Sequence, residues 1–321
     1  MNRRAAVRSL VVGGAGSFFD RLFAGGKGDE QPSYTIHSEV RLVLLDVSVK
    51  SRGGGFVNGL SKDNFEVFED GRSQRITVFD HNDLPVTAGI LVDESRSMTP
   101  KRADVITAAE TFIEESNPQD EIFVLNFNER VMPGLPGDMP FSGDLEQLRS
   151  ALYRGVPQGR TALNDAVLSG LKQLELGHRD KKALILISDG GDNASEHNRR
   201  EVLDMIERSI ATVYTIGLFE PDDPDRDPGI LRQLARISGG DAYFPEKPSE
   251  MVPVCRGIAK DIRTRYTIGY HPEDDKGRSS LRHIRVQVSA PGHGRIITRT
   301  RSSYRYDATK DQDAAKDQKE Q

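Results

Sequence analysis

The feature that most constrains the fold is a series of four short apolar runs between Val86 and Phe219. The runs are VTAGILVD, EIFVLNF, KALILISD and ATVYTIGLF. A strand that is apolar along its whole length is buried on both faces, as in a parallel sheet covered by helices. Helical patterns alternate with these runs or follow them, over residues 102–115, 161–176, 199–209, 229–237 and 249–263. We therefore predict an α/β fold with a doubly wound, mostly parallel sheet.

The segments on either side have a different pattern, in which apolar and polar residues alternate. Residues 33–83 contain a hairpin signal at Asp70 and Gly71, and residues 264–306 contain runs such as LRHIRVQVSA. Such alternation is typical of strands with one buried face. Because each half alone has too few strands to be stable, we predict one smaller, discontinuous β-domain. The α/β domain of residues 84–263 would be inserted into it.

The two ends of the chain are predicted to lie outside these domains. Within residues 1–32, Arg3 and Arg4 precede a short, glycine-rich apolar run that resembles a twin-arginine export signal. Small residues follow the arginines, however, and no Ala-x-Ala cleavage site is present. Two interpretations stay open: an export signal leading to the periplasm or the cell exterior, and a basic leader on a cytoplasmic protein. Residues 307–321 lack large apolar side chains and are predicted to be a disordered tail.

Net charge, apolar runs and cysteine content argue against several kinds of partner and site. The 321 residues carry a net charge of -5, which gives no general reason to expect nucleic acid as a partner. No apolar run reaches the roughly 18 residues that a membrane helix needs, so we predict no membrane span. The single cysteine, Cys255, excludes both an internal disulfide and a thiolate metal cage. A small buried side chain is its expected role.

Polar residues follow two of the predicted strands and begin one predicted helix. They contribute five oxygen-bearing side chains: Asp93, Ser95, Ser97, Thr161 and Asp189. In an open parallel sheet, loops at the carboxyl ends of the strands meet at the edge where ligands bind. The set contains no histidine or cysteine, so it suits magnesium or manganese and disfavours zinc. Because the hydroxyls are neutral, a cation bound there would retain positive charge and attract a carboxylate.

In chain order these residues read D-x-S-x-S, then Thr, then Asp. This order resembles the metal-ion-dependent adhesion site of the von Willebrand factor type A domain, which is also found in integrin subunits. The resemblance implies a Rossmann-like fold. It also implies that Ser95 and Ser97 coordinate Mg²⁺ or Mn²⁺ directly and that Thr161 joins them when a ligand is bound. Asp93 and Asp189 would then often act through water.

The resemblance covers roughly residues 84–260. With the strand-rich flanks included, the chain also resembles a von Willebrand-A-related family that is abundant in Acidobacteria. One departure concerns Glu94 and Arg96, which stand where members of the family often have small residues. Metal coordination stays compatible with these long charged side chains, whereas the preferred ligand is expected to depend on them.

Each part of the motif also has an ordinary structural explanation. Ser97 and Thr161 are suited to capping helices, and Asp189 with the two glycines after it is suited to a turn. Their order, and their positions at strand ends and a helix start, favour a metal site over three unrelated coincidences. Asp165 and Asp192 are interpreted as solvated or capping residues.

Signals of enzymatic activity are weak. The sequence contains no G-x-S-x-G elbow, no G-x-x-x-x-G-K-[ST] loop and no identified histidine partner for the serines. We therefore predict a non-enzymatic, metal-dependent, adhesion-type module that binds an exposed Asp or Glu of a partner protein. Two alternatives stay open: a magnesium-dependent hydrolase of phosphate esters, and a structural envelope protein with a vestigial metal site.

Overall fold

The computed structural model describes residues 42–219, 226–272 and 280–305. The predicted leader (residues 1–32) and tail (residues 307–321) therefore fall outside the described residues. In the part of the chain that is described, every helix is too short or too polar to cross a membrane.

The described chain contains strands β1 to β14 and α-helices α1 to α6. The strands before the first helix are β1 (Val43–Ser51), β2 (Phe65–Glu69), β3 (Arg72–Gln74), β4 (Ile76–Asp80) and β5 (Val86–Asp93). The next strands are β6 (Glu121–Phe127), β7 (Val131–Pro133), β8 (Lys181–Ser188), β9 (Thr212–Gly217) and β10 (Ala242–Tyr243). The last are β11 (Tyr266–Tyr270), β12 (Leu281–Val288), β13 (Ile296–Arg299) and β14 (Ser303–Arg305). The helices are α1 (Arg102–Glu114), α2 (Leu145–Tyr153), α3 (Leu163–Glu175), α4 (Arg199–Arg208), α5 (Pro228–Ser238) and α6 (Met251–Arg263).

A six-stranded sheet with the order β10-β9-β8-β5-β6-β7 lies at the centre of the α/β segment. Neighbouring strands are parallel except for β6 and β7, which are antiparallel. Every residue of β5 is buried, as expected for a central strand covered on both faces. Helix α1 contacts α2 and α6, while α4 contacts α3 and α5, so the helices form two groups. This arrangement confirms the predicted α/β fold class.

The predicted elements of this segment correspond closely to the observed ones. Strands β5, β6, β8 and β9 occupy the four apolar runs, and the five predicted helices begin and end within two residues of α1, α3, α4, α5 and α6. Helix α2 was not predicted, because it is short and lies between loops rich in glycine and proline.

Two further four-stranded sheets, β13-β1-β11-β4 and β14-β12-β2-β3, are built from the flanks. Strands from both sides of the α/β segment pair with each other, β1 with β11 and β2 with β12, all antiparallel. Buried residues such as Leu45, Tyr266 and Ile284 form a hydrophobic core of their own. These sheets fit a second domain, and its exact boundaries stay a prediction.

The α/β segment and the flanking sheets meet at a buried polar network around Asp261, near the end of α6. The Asp261 carboxylate accepts hydrogen bonds from Ser48 Oγ at 2.5 Å and Tyr214 OH at 2.6 Å. It also forms ion pairs with Lys50 Nζ at 2.9 Å and Arg265 Nη2 at 2.7 Å. Burial by itself raises the pKa of the Asp261 carboxyl, but the two cations outweigh it and hold the pKa well below its ordinary value.

Candidate metal centre

The candidate metal centre begins with Asp93, the last residue of β5. Its side chain closes a turn, because the backbone N–H of Ser95 donates to Asp93 Oδ1 at 2.8 Å. The other oxygen, Oδ2, accepts a hydrogen bond from Ser188 Oγ at 2.6 Å. Ser188 ends the neighbouring parallel strand β8, so the adjacent ends of two central strands fix the Asp93 carboxylate.

The two serines of the motif connect Asp93 to Asp189. Ser95 Oγ and Ser97 Oγ lie 3.1 Å apart, and Ser97 Oγ donates to Asp189 Oδ2 at 2.5 Å. Gly190, after Asp189, has a φ of +82°, and a Cβ there would overlap the carbonyl oxygen of Asp227. The turn that presents Asp189 therefore requires glycine.

Thr161 lies in the same cleft and is fixed by its backbone. Its N–H donates to Asn193 Oδ1 at 2.9 Å, and its carbonyl accepts from the N–H groups of Asn193 and Ala194 at 3.0 Å. Helix α3 has Ala162 as its N-cap residue, so the capping explanation of Thr161 is wrong. Among the described residues, none forms a hydrogen bond with the Thr161 hydroxyl.

The capping explanation of Ser97 is wrong as well. Helix α1 begins at Arg102 with Lys101 as its N-cap residue, and no side chain caps it. The structure thus brings all five sequence-predicted side chains to the carboxyl edge of the sheet, as the loop argument predicts. That they bind a metal stays a prediction.

Asp93 is a buried carboxylate that forms no ion pair with the described residues. It is 2% exposed, and its described hydrogen bonds come from neutral groups. Burial and then the nearby Asp189 carboxylate raise the pKa of Asp93 to about 7. A buried charge is costly unless it is paired or coordinates a metal, so a cation at this edge would stabilise the site.

An open cleft of about 400 Å³ gives access to these side chains. It is lined by Ser95, Arg96, Ser97, Glu129, Gly159, Arg160, Thr161, Asp189, Gly191 and Asn193. The described residues contain no group of three His, Cys, Asp or Glu side chains arranged to hold a metal. This candidate centre differs from such groups because three of its five side chains carry hydroxyls.

The two unusual residues of the motif take different positions. Glu94 is fully buried, does not line the cleft, and pairs through Oε2 with Arg102 Nε at 3.0 Å. A Cβ on Gly155 would overlap the Glu94 side chain, so a glycine is needed to make room for it. Arg96 is exposed and lines the cleft. Of these two residues, Arg96 is therefore the one whose side chain lies at the cleft.

Other residues support the loops around the site. Ser188 holds Asp93 and Asn193 holds Thr161, and sequence reasoning missed both supporting residues. Both lie in the run SDGGDN with Asp189, and this position could have indicated their role. Asp165 accepts hydrogen bonds from the backbone N–H groups of Glu196 and His197 at 2.9 and 3.0 Å. It fixes the loop before α4.

Comparison with known families agrees with this geometry. The family profile "von Willebrand factor type A domain" matches residues 89–253, just over half of the chain. The chain belongs to the von Willebrand factor type A (VWA) domain family. VWA domains typically mediate protein interactions, are generally not enzymes, and commonly bind a divalent metal at the metal-ion-dependent adhesion site (MIDAS).

Individual relatives are distant. The uncharacterized protein sll0103 of Synechocystis sp. is 23% identical over 178 residues, which are 54% of this chain and 41% of that protein. The chain thus spans less than half the length of this relative. A VWA protein of Catenulispora acidiphila is 13% identical, with a TM-score of 0.48 over 85% of this chain and 76% of that one.

A solved structure of proximal thread matrix protein 1 from the mussel byssus is described as having a zinc-occupied MIDAS motif. It is 16% identical to this chain, with a TM-score of 0.48 over 57% of this chain and 49% of that one.

Proposed function

We propose that this protein is a metal-dependent protein-interaction module. Mg²⁺ or Mn²⁺ would be held by Asp93, Ser95, Ser97, Thr161 and Asp189, which together would form a complete MIDAS. A bound cation would supply an open coordination position for an exposed Asp or Glu of a partner protein. The observation that carries the proposal is the buried carboxylate of Asp93, which lies among hydroxyls and beside a second acid rather than beside a cationic side chain.

The donor set fits a hard divalent cation. Serine, threonine and aspartate provide oxygen atoms, which Mg²⁺ and Mn²⁺ prefer, whereas zinc usually takes nitrogen or sulfur ligands. The mussel relative with zinc in its MIDAS makes zinc a necessary comparison in any test. With neutral hydroxyls as ligands, the cation retains charge to attract an acidic side chain.

The described residues that line the cleft favour binding over hydrolysis. They include neither histidine nor lysine, and the Glu129 carboxylate is paired with Arg160 Nε at 3.3 Å. The cleft arginines could bind a phosphate, but a hydrolase also needs a general base that is free to accept a proton. The interaction role is therefore better supported than the hydrolase alternative.

The proposal also covers the cellular location of the protein and its wider family. The paired arginines near the start of the sequence support export to the periplasm or cell exterior, and the strand-rich flanks support kinship with the VWA-related family abundant in Acidobacteria. An exported interaction module would meet its partners in the cell envelope or outside the cell.

Thermal unfolding with and without metal tests the proposal. Magnesium that binds the folded state stabilises it by mass action, about 2.7 kcal/mol at one hundred times the dissociation constant. We expect magnesium or manganese to raise the melting temperature of the wild type relative to chelator. Asp93→Asn should remove this rise, because it removes the buried charge that favours the cation. A parallel series with zinc measures the preference among metals.

A matched control separates site binding from general charge effects. Asp138→Asn removes one exposed acid from a loop that does not line the cleft, and this variant should keep the full magnesium response. An equal metal response in wild type and Asp93→Asn would contradict the proposed site.

A further inference from the structure

The candidate metal cleft and the cleft beside it are together lined by more basic than acidic side chains. The cleft adjoins a second one of about 490 Å³, and the two share Arg96, Glu129 and Gly159. Arg160 lines the inner cleft and Arg130 lines the outer one. Among the described residues of the outer cleft, Glu129 is the one acid, so this surface has an excess of positive charge.

These charged groups differ in whether they are already paired. Glu129 Oε1 accepts from Arg160 Nε at 3.3 Å, and Arg160 Nη1 donates to the carbonyl of Asn193 at 3.2 Å. The Arg96 guanidinium forms no hydrogen bond or ion pair with the described residues, while its backbone N–H donates to Gly159 O at 3.3 Å. Arg96 thus combines a fixed backbone with an exposed, unpaired cationic side chain.

Arg96 lies within the sequence motif of the candidate metal centre. It stands between Ser95 and Ser97, two of the proposed ligands, and its side chain borders both clefts. In an extended segment, side chains two residues apart face the same side and lie about 6.6 Å apart along the chain. A guanidinium is well suited to a carboxylate, because its planar N–H donors match both oxygens.

We propose that the partner presents an extended acidic segment with two carboxylates, two residues apart. The first occupies the metal position, and the second pairs with Arg96 at the junction of the two clefts. This inference rests on the proposed function and adds to it the chemistry of the partner. Arg96 is then a specificity-determining residue, which distinguishes a segment with paired acids from one with a single acid.

Two synthetic peptides test the inference on the full chain. One contains two glutamates separated by a single glycine, and the other has the second glutamate replaced by glutamine. Binding of each fluorescent peptide is measured by anisotropy in magnesium, in manganese and in chelator. An exposed ion pair contributes up to about 1 kcal/mol, so the wild type should bind the diacid peptide about two- to fivefold more tightly.

Three variants show which residue is responsible for the preference. Arg96→Gln should reduce the ratio of the two affinities to about one, whereas Arg96→Lys should keep part of it. Arg236→Gln removes the same charge from an exposed position on α5 and should keep the wild-type ratio. Melting curves confirm that the variants are folded.

The outcomes separate this inference from the proposed function. If the single-acid peptide binds in a metal-dependent manner but Arg96→Gln keeps the diacid preference, the role of Arg96 is contradicted and the proposed function stands. If neither peptide binds in magnesium or manganese, or if chelator has no effect on binding, the proposed function fails and this inference fails with it.

Discussion

Thr161 lines the candidate metal cleft, and its hydroxyl is not needed to begin a helix. Ala162 is the N-cap residue of α3, and no described residue forms a hydrogen bond with the Thr161 hydroxyl. Because Thr161 lines the cleft and does not cap the helix, its hydroxyl is available to a ligand that enters the cleft. This contrasts with Asn193, whose side chain supports the backbone of the same loop.

Thr161→Val is therefore expected to separate binding from stability. Valine keeps the shape of threonine and removes the hydroxyl, so we expect metal-dependent binding of a single-acid peptide to weaken while the free energy of unfolding in chelator changes by less than about 1 kcal/mol. Thr161→Ser keeps the hydroxyl and should keep the binding. Fluorescence anisotropy and urea unfolding measure the two quantities. A loss of stability with unchanged binding would assign Thr161 a structural role.

The positions of some residues of the candidate site could be predicted from the sequence, whereas the positions of others could not. Asp93 and Asp189 could be placed at one edge because each follows an apolar strand and parallel strands end together. Glu94 could not be placed, because its burial depends on Gly155, which lies far along the chain and leaves space for the carboxylate. The sequence pattern around Glu94 gives no information about its contact with Gly155.

Among the elements, strands and long helices were predictable and α2 was not. Strand β8 contains the apolar run ALILI and α5 has glycine at its end, and both signals are local. Helix α2 has nine residues and three buried side chains, Leu148, Ala151 and Leu152. Its place is set by packing against α1 and β6, which a short pattern does not reveal.

The loop after α2 is held against α1 by Glu94 and Arg102. Arg102 Nη2 donates to the carbonyl of Gly155 at 2.7 Å, while its Nε pairs with the Glu94 carboxylate. Burial raises the pKa of Glu94, and Arg102 opposes this effect. The loop continues to Thr161, so this contact also positions one side of the candidate metal cleft.

Gly155→Ala should therefore destabilise the fold by about 1–3 kcal/mol, because its Cβ would overlap the Glu94 side chain. In Glu94→Ala the space is free, so adding Gly155→Ala to that variant should cost much less than it costs in the wild type. Urea unfolding of the wild type, both single variants and the double variant gives the coupling energy. Purely additive costs would contradict a direct contact between these two positions.

At the scale of the whole molecule, the Asp261 network joins α6 to the flanking sheets. The carboxylate belongs to the last turn of the helix, while Ser48 and Lys50 belong to β1. Sequence patterns predicted that the flanks share one β-domain, but not that a buried ion network connects it to the helix. The network depends on contacts between residues more than two hundred positions apart.

Asp261→Asn should destabilise the protein at neutral pH by about 3–5 kcal/mol, because it leaves buried cations without their partner. The pKa of Asp261 is lower in the folded than in the unfolded state. The unfolded state therefore takes up the proton first as the pH falls below about 4, and the stability that Asp261 contributes is lost there. Urea unfolding at neutral and acidic pH should show the difference between wild type and variant narrowing.

Asp63→Asn, an exposed acid in the flank, is the matched control and should follow the wild type at both pH values. A constant gap between wild type and Asp261→Asn down to strongly acidic pH would contradict the assigned role of the carboxylate.

The pairing of β4 with β11 has a mechanical consequence. The chain leaves β4 at Asp80 and returns at Tyr266, and Asp80 lies opposite Thr267 in the antiparallel ladder. Tension applied between the described ends, near residues 42 and 305, therefore passes through the flanking sheets, where β1 pairs with both β11 and β13. The VWA segment leaves and rejoins these sheets at neighbouring positions, so it lies outside the line of force. A partner held at the candidate metal cleft would instead load the contacts between the VWA segment and the flanks, which include the ion network of α6 with β1 and the contact of α4 with β14.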